Sequence, residues 1–313
     1  MKITKPLWMP DILYKSIVNQ QESYDKGDSD FTVTELIGPA WQGALKRKHH
    51  TEIEESADDR IWSLIGSSIH AMIQQANGAG VAEKRFFIRR MGYVISGQAD
   101  YINYQVHKGS SSSGFSKTIY DWKMTSGYAV IDGPKKEWGE QLNLLNLLYS
   151  NQESLEHQVT DLKVIAFYKD WSERNYLNNP LSYPKRPYGE FVFSIWTPLE
   201  AEEFLLTKIQ EHIEADAQVG GKRLSKHLLC TPEERWSKPD KYAVKKIGNK
   251  SATKLFDKEK DADNFIGGKP MGERTYEIEY RPGEDTRCMK YCNVNKFCPH
   301  YQTLIKQEIK EAA

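Results

Sequence analysis

Tyr93-Val94-Ile95-Ser96-Gly97-Gln98-Ala99-Asp100-Tyr101-Ile102-Asn103-Tyr104 is followed, after a Gly/Ser-rich interruption, by Thr118-Ile119-Tyr120-Asp121-Trp122-Lys123. Both stretches are rich in the aromatic and β-branched residues that pack well on a pleated surface, so each reads as a strand. Lys84 to Arg90, just ahead, reads the same way, and the three suggest a meander. Between the last two, Lys108-Gly109-Ser110-Ser111-Ser112-Ser113-Gly114 has the composition of a flexible hairpin tip.

Working outward, Ile61, Leu64, Ile65, Ile69, Met72 and Ile73 recur on one face of a helix expected from Ala57 to Gln75, closed by Asn77-Gly78. A second helix, Glu137 to Tyr149, carries Leu142, Leu145 and Leu148. Leu162 to Trp171 and Phe191 to Trp196 read as further strands. Pro198 to Ala217 reads as an amphipathic helix, with Thr197 as N-cap and Glu200 placed for a capping box. Val33-Thr34-Glu35-Leu36-Ile37 and Leu45 form a short packed segment. This order implies an α/β fold, a central mixed β-sheet flanked by helices, over residues 32–219. Residues 1–31 read as an N-terminal arm, irregular or a short helix. Gly220-Gly221 opens a polar, turn-rich lobe over 220–313 with little apolar material of its own.

A chain of 313 residues fits one or two domains. Lys plus Arg number 43 and Asp plus Glu 43, so no net field draws it to nucleic acid or an anionic membrane, and any such surface is a local patch. Apolar runs such as Leu142 to Leu148 are broken by asparagines and fall short of the roughly 20 residues that span a bilayer. Met1 to Pro10 lacks the apolar run and small residues of a secretory signal. The expectation is a cytoplasmic chain with no membrane partner.

Asp100, Asp121 and Lys123 put two carboxylates and one lysine on neighbouring strands, and alternation places Asp121 and Lys123 on one face. Two hard acidic ligands can hold Mg2+ or Mn2+. An ammonium beside them can orient water or neutralise charge on a scissile phosphate. The second Asp-x-Lys, Asp161-Leu162-Lys163, has no acidic strand just before it and reads as a solvated strand end. Gly66 allows close backbone approach and His70, one turn later, can reach a metal, although a histidine between apolar neighbours is more often a core residue. Gln141 can bond a phosphate or the lysine; its bland reading is a surface glutamine. Glu83, ahead of the first strand, is a further acidic group or a solvated strand start.

The order Gly66-x-x-x-His70, Gly97-x-x-Asp100, Asp121-x-Lys123 and Gln141 resembles the motifs of the PD-(D/E)XK nuclease superfamily, in the branch of RecB-like, CRISPR-associated and phage exonucleases, over roughly residues 32 to 200. The resemblance implies a restriction-endonuclease-like core and a Mg2+- or Mn2+-dependent DNA nuclease, an exonuclease processing ends in recombination, repair or phage replication. His70, Asp100, Asp121 and the Trp122 carbonyl would hold the cation; Lys123 would be catalytic, and Gln141 would belong to the motif that often reads Gln-x-x-x-Tyr. Two positions depart from the pattern. Leu145 stands four after Gln141, with Tyr149 one turn later, and Gly97-Gln98-Ala99 stands where a proline often precedes the aspartate.

Cys288-x-x-x-Cys292, Cys298 and the distant Cys230 supply four thiols, too few for a disulfide scaffold but enough for one metal centre. A four-thiolate zinc site and a [4Fe-4S] cluster both satisfy that count. The chain lacks the Cys-x-x-Cys knuckles that zinc favours, and Phe297-Cys298-Pro299 resembles the cluster-binding nucleases of the CRISPR-associated and AddB-like types, which implies the iron cluster. His300 and His227 are substitutes for Cys230. The centre would staple a lobe with a poor core.

Cations group at Lys46-Arg47-Lys48, Arg85 with Arg89-Arg90, Lys135-Lys136, and Lys245-Lys246 with Lys250. Lys135 and Lys136 follow closely on Lys123 and are the candidate DNA contacts. No base-reading module and no nucleotide-binding Gly-x-x-x-x-Gly-Lys-Ser/Thr loop occur. The resemblance implies a single-strand annealing or single-strand-binding protein as partner and, in some relatives, a homo-oligomer. The competing readings are a non-catalytic subunit with a nuclease-like fold and a zinc-stapled nucleic-acid-binding protein whose Asp-x-Lys is coincidence.

Overall fold

The computed structural model describes residues 1–23, 25–76, 80–107, 114–152, 159–221, 225–268 and 275–311. The chain divides into two units, Met1–Ala44 with Glu54–Val219 and Leu45–Ile53 with Gly220–Ala313.

In chain order the first unit contains β1 (Lys2–Thr4), α1 (Asp11–Glu22), β2 (Phe31–Thr32), α2 (Val33–Leu36) and the start of α3 (Ala40–Lys48). It resumes with β3 (Glu54–Ser56), α4 (Ile61–Gln74), β4 (Val81–Arg90), β5 (Tyr93–His107), β6 (Gly114–Thr125) and α5 (Lys136–Ser150). It ends with β7 (Asp161–Tyr168), α6 (Glu173–Asn178), β8 (Tyr188–Phe193) and α7 (Pro198–Gln218). Six of these strands form one sheet in the order β2-β5-β6-β7-β8, with β4 also paired to β5. The β4-β5-β6 run is antiparallel, β6 and β7 are parallel, and β8 returns antiparallel. The fold is therefore α/β, a mixed central sheet flanked by helices.

Burial follows the local pattern. Along β7, Leu162, Val164, Ala166 and Tyr168 are buried and the residues between them are not, the alternation of a strand with one face on the core. The core joins this face to Leu142, Leu144, Leu147 and Leu148 of α5 and to Leu205 and Ile209 of α7. Helix α7 begins with Thr197 and Glu200 in a reciprocal capping box, with proline in its first turn. Gly97 is where β5 needs a glycine: a Cβ there would lie 2.6 Å from Leu145 and 2.9 Å from Val33. The glycine lets α5 sit directly on the strand.

Two features differ from the sequence reading, and a third falls outside the described residues. The first 31 residues hold the short helix that was one of their two readings, α1, and are packed rather than irregular: β1 pairs in parallel with β3, and Met9 and Ile17 pack with Ala57. Their apolar partners lie far along the chain, where no local pattern announces them. Helix α4 starts at Ile61, after a 3-10 turn over Ala57–Arg60, and none of its residues is buried. The helix closure at Asn77-Gly78 and the hairpin tip from Lys108 to Ser113 lie outside the described residues.

The second unit contains β9 (Ser237–Lys238), β10 (Lys241–Lys246), β11 (Lys254–Phe256), α8 (Glu259–Gly267), β12 (Tyr276–Arg281), β13 (Glu284–Asp285), α9 (Thr286–Lys290) and α10 (Pro299–Glu311). It holds an antiparallel sheet in the order β11-β10-β12, where the sequence showed only turns. Charge hid these strands: β10 carries Lys241, Lys245 and Lys246, β12 carries Glu277 and Glu279, and Lys245 reaches Glu279 at 2.6 Å and Glu277 at 3.2 Å across the ladder. The interior beneath is small, with Ala243, Val244 and Ala262 fully buried.

Candidate active site

The site of the first unit forms where β4, β5 and β6 run side by side. The apolar core positions on β5 are Ile95, Ala99 and, three residues further, Ile102, an even step followed by an odd one, so the strand changes face around Asp100. The β5-β6 ladder begins only at Tyr101↔Tyr120. Instead of pairing with backbone, the Trp122 N–H donates to Asp100 Oδ2 at 2.7 Å, which fixes that carboxylate beside Asp121. The Trp122 carbonyl belongs to this same segment of β6.

Asp121 is almost fully buried, 2 % exposed. Lys123, two residues on and hence on the same face, places Nζ 3.0 Å from Asp121 Oδ1 and 2.8 Å from Oδ2. Only the Oδ1 contact has hydrogen-bond geometry, leaving Oδ2 a buried carboxylate oxygen without a hydrogen bond. Gln141 from α5 completes a triangle: its Oε1 accepts from Lys123 at 2.9 Å and its Nε2 donates to Asp121 Oδ1 at 2.9 Å. Gln141 is buried, not the surface glutamine of its bland reading. The lysine is thereby held at both ends of its reach.

His70 comes from α4. Its Nδ1 lies 3.3 Å from Glu83 Oε1 and 3.5 Å from Asp100 Oδ1. One ligand atom from each of His70, Glu83 and Asp100 falls within 4.8 Å of the others, a grouping that could hold a metal ion. Glu83 is thus drawn into the cluster, where the sequence left it undecided between site and solvated strand start. Its signal was position alone: the flanking pairs Ala82↔Tyr101 and Lys84↔Ala99 set it opposite Asp100. Gly66, in contrast, is not a point of close approach, since a Cβ there meets nothing within 4 Å.

Charge crowding shows in the protonation equilibria. Burial, reinforced by the neighbouring Asp121 carboxylate, pushes Asp100 up to about 7; His70, the Trp122 N–H and Lys123 pull the other way. His70 is raised chiefly by its hydrogen bond to Glu83, against the opposing effect of burial. Three carboxylates converge with less positive charge than they would match when ionised. A divalent cation would supply the deficit, and the oxygen-rich donor set with one imidazole is of the kind that suits Mg2+ or Mn2+.

The other predicted residues fall as follows. Lys135 and Lys136 are exposed at the start of α5, but Lys136 is ion-paired with Glu140 at 3.0 Å rather than a free cation. Tyr149 is 1 % exposed and edge-on to Phe86, so this tyrosine is a core residue with no access to a substrate. Asp161 bonds its neighbour Thr160, and Lys163 pairs with Glu190 at 3.0 Å; the second Asp-x-Lys stays outside the cluster.

All four cysteines belong to the second unit and are free thiols, each half-buried. Burial pushes Cys230 up to about 12, with Glu234, Cys298 and Cys292 adding to it. Burial likewise pushes Cys288 up to about 11, with Asp285, Cys292 and Cys298 contributing. Asp285, Cys288 and His300 also present ligand atoms within 4.8 Å, with His300 Nε2 2.6 Å from Asp285 Oδ2, whereas His227 is exposed.

No family model matches the chain, and no curated protein matches it in sequence. Among solved structures, one described as "Crystal structure of SSO0001" is similar over 64 % of this chain and 84 % of that chain, at 14 % identity and a TM-score of 0.42.

Proposed function

We propose that the first unit is a divalent-cation-dependent phosphodiesterase of the PD-(D/E)XK type acting on DNA, an exonuclease that processes ends. The observation that carries this reading is the buried Asp121 carboxylate, with one oxygen lacking a hydrogen bond, flanked by Asp100 and by a lysine that Gln141 holds in place. A cluster serving stability alone would not set Asp100 between the buried Asp121 carboxylate and Glu83.

His70, Asp100, Asp121 and the Trp122 carbonyl would hold Mg2+ or Mn2+, which when bound polarises a phosphate oxygen and acidifies water. The chain's own groups do the rest. Lys123 sets an ammonium at the rim of the carboxylates, where it faces the attacking water and the charge that grows on the phosphate. Gln141 keeps that ammonium from collapsing onto Asp121 alone. Asp100 must give up its proton to act as a ligand, which ties cation loading to pH. Lys135 and the exposed Lys136 would contact the phosphate backbone, Lys136 after exchanging Glu140 for phosphate.

For the second unit we propose a [4Fe-4S] cluster held by Cys230, Cys288, Cys292 and Cys298 as a structural staple. Cys230 and Cys288, pushed so far up by burial, are protonated in isolation and become ligands only beside a cationic centre. Zinc is the second reading, favoured by the Asp285, Cys288 and His300 grouping. A cytoplasmic location, a single-strand-binding or annealing partner and homo-oligomerisation complete the proposal by resemblance.

The test is digestion of end-labelled linear duplex and of a covalently closed circle with Mg2+ or Mn2+. Loss of the linear substrate with survival of the circle is the expected result. Inertness toward both, by protein shown to bind the cation, would leave only a non-catalytic nucleic-acid-binding role. A brown preparation with a broad visible band that bleaches in air identifies the iron cluster; a colourless one with stoichiometric zinc identifies the alternative.

A further inference from the structure

The backbone at Glu83 is unusual. Its φ is +52°, in the left-handed region that a residue with a Cβ occupies only when its surroundings hold it there. Glu83 lies in β4 between two regular ladder pairs and is itself absent from the ladder. Something at its side-chain end must compensate.

Glu83 Oε1 faces His70 Nδ1 at 3.3 Å, while Oε2 accepts from Gln98 Nε2. The Gln98 carboxamide is itself oriented: its Oε1 accepts from Arg85 Nη2 at 2.6 Å. A glutamine whose oxygen is taken by a guanidinium has only its NH2 to offer, and so turns it toward a carboxylate. Arg85 in turn donates to Ser96 Oγ at 3.1 Å, and Ser96, fully buried, sits 2.8 Å from Ser29 Oγ. A hydrogen-bonded line thus runs from the buried serines through Arg85 and Gln98 to Glu83, ending at the His70–Asp100 pair.

We propose that Gln98, fixed by Arg85, is a positioning residue that holds the Glu83 carboxylate toward His70 and Asp100, making Glu83 a further ligand of the divalent cation. The proposal rests on the cation-dependent reading above. Metal ligands elsewhere depend on such outer partners, whose loss weakens metal binding by roughly 10- to 100-fold.

The experiment is Mn2+ titration calorimetry on the full-length protein, comparing wild type, Gln98→Ala, Glu83→Ala and the double variant, with thermal melts of the cation-free proteins. Each single variant is expected to weaken Mn2+ binding by about tenfold or more. If Gln98 acts through Glu83, the double variant binds no more weakly than Glu83→Ala. Glu83→Gly is expected to match Glu83→Ala in Mn2+ affinity yet melt higher, because glycine accepts the left-handed backbone. Should Gln98→Ala not fold, Arg85→Lys, which keeps the charge but loses the guanidinium fork, is read by the same cycle.

Unchanged affinity in Gln98→Ala, or full additivity in the double variant, overturns the positioning role and leaves the nuclease reading standing. Wild type that binds Mn2+ without cleaving DNA removes the nuclease reading, while the cycle still decides the role of Glu83. Wild type that binds no Mn2+ removes both.

Discussion

Helices α4 and α5 are both apolar-striped and both bring a side chain to the candidate site, yet they are built in opposite ways. Helix α5 buries eleven of its residues, among them Leu142, Leu148 and Gln141. Helix α4 buries none, and Trp62 and Met72 are 52 % and 71 % exposed. The residue that α5 contributes, Gln141, therefore sits in a fixed frame and aims Lys123. The residue that α4 contributes, His70, is carried by an element with little packing to restrain it. The candidate site combines a rigid wall with a candidate ligand on a loosely seated one, and elements of low burial are those most able to move.

The largest effect should follow from the rigid wall. Lys123→Ala is expected to lower turnover on DNA by about 10^3-fold while changing DNA affinity little, since the ammonium is needed most when charge builds on the phosphate. Steady-state cleavage and binding to a cation-free complex measure the two halves. Undiminished turnover would detach Lys123, and with it the role assigned to Gln141, from catalysis.

The stability contrast between the helices comes next. Leu148→Ala in α5 removes a fully buried side chain and should cost about 2–5 kcal/mol. Met72→Ala in α4 should cost no more than about 0.5 kcal/mol. Urea unfolding of both variants reads the difference, and equal costs would mean that α4 is covered in solution by something else.

A pH dependence sharpens the same comparison from the site's side. Asp100 is pushed up to about 7 from 3.8, so between those values the native chain holds a proton that the unfolded chain has released. Stability from this group is fully present below about pH 3.8 and is lost as pH rises through about 7. The raised His70 acts in the same direction, its ion pair with Glu83 being lost as pH rises. Cation-free protein should lose on the order of 2 kcal/mol between pH 5 and 8. Mg2+ should restore this at pH 8, and Asp100→Asn should flatten the profile and abolish the restoration. Melts at several pH values, with and without Mg2+, provide the check.

The smallest effect is at the exposed start of α5. Lys136→Ala should reduce the salt dependence of DNA binding by about one unit of log–log slope and leave stability within about 0.5 kcal/mol. An unchanged slope would keep Lys136 with Glu140 and out of the DNA interface.

Legibility tracked the range of the interactions. The strands around Gly97 and Asp121, the capping box at Thr197 and Glu200, and the shared face of Asp121 and Lys123 rest on contacts a few residues apart. Glu83 was ambiguous because its place depends on a left-handed backbone and on Gln98 and Arg85 in the paired strands. The strands of the second unit were missed because the lysines of β10 and the glutamates of β12, which pair across the ladder, look like a solvated loop when each segment is read alone. The apolar stripe of α4 was plain, but a stripe states only that a face is apolar, not how deeply it is covered: Ile61 and Leu64 pack against Met9, Ile17 and Ala57 and are still only half-buried.

By itself the sequence determined the alternating strands, the helix ends and the order in which histidine, aspartates, lysine and glutamine occur, because periodicity and capping are local properties of the chain. Only the tertiary structure decided that β5 changes face near Asp100, that Gln141 is buried between Asp121 and Lys123, and that Glu83 turns toward His70. Those outcomes depend on distant segments competing for the same buried volume and the same hydrogen-bonding groups, which no stretch of sequence contains alone.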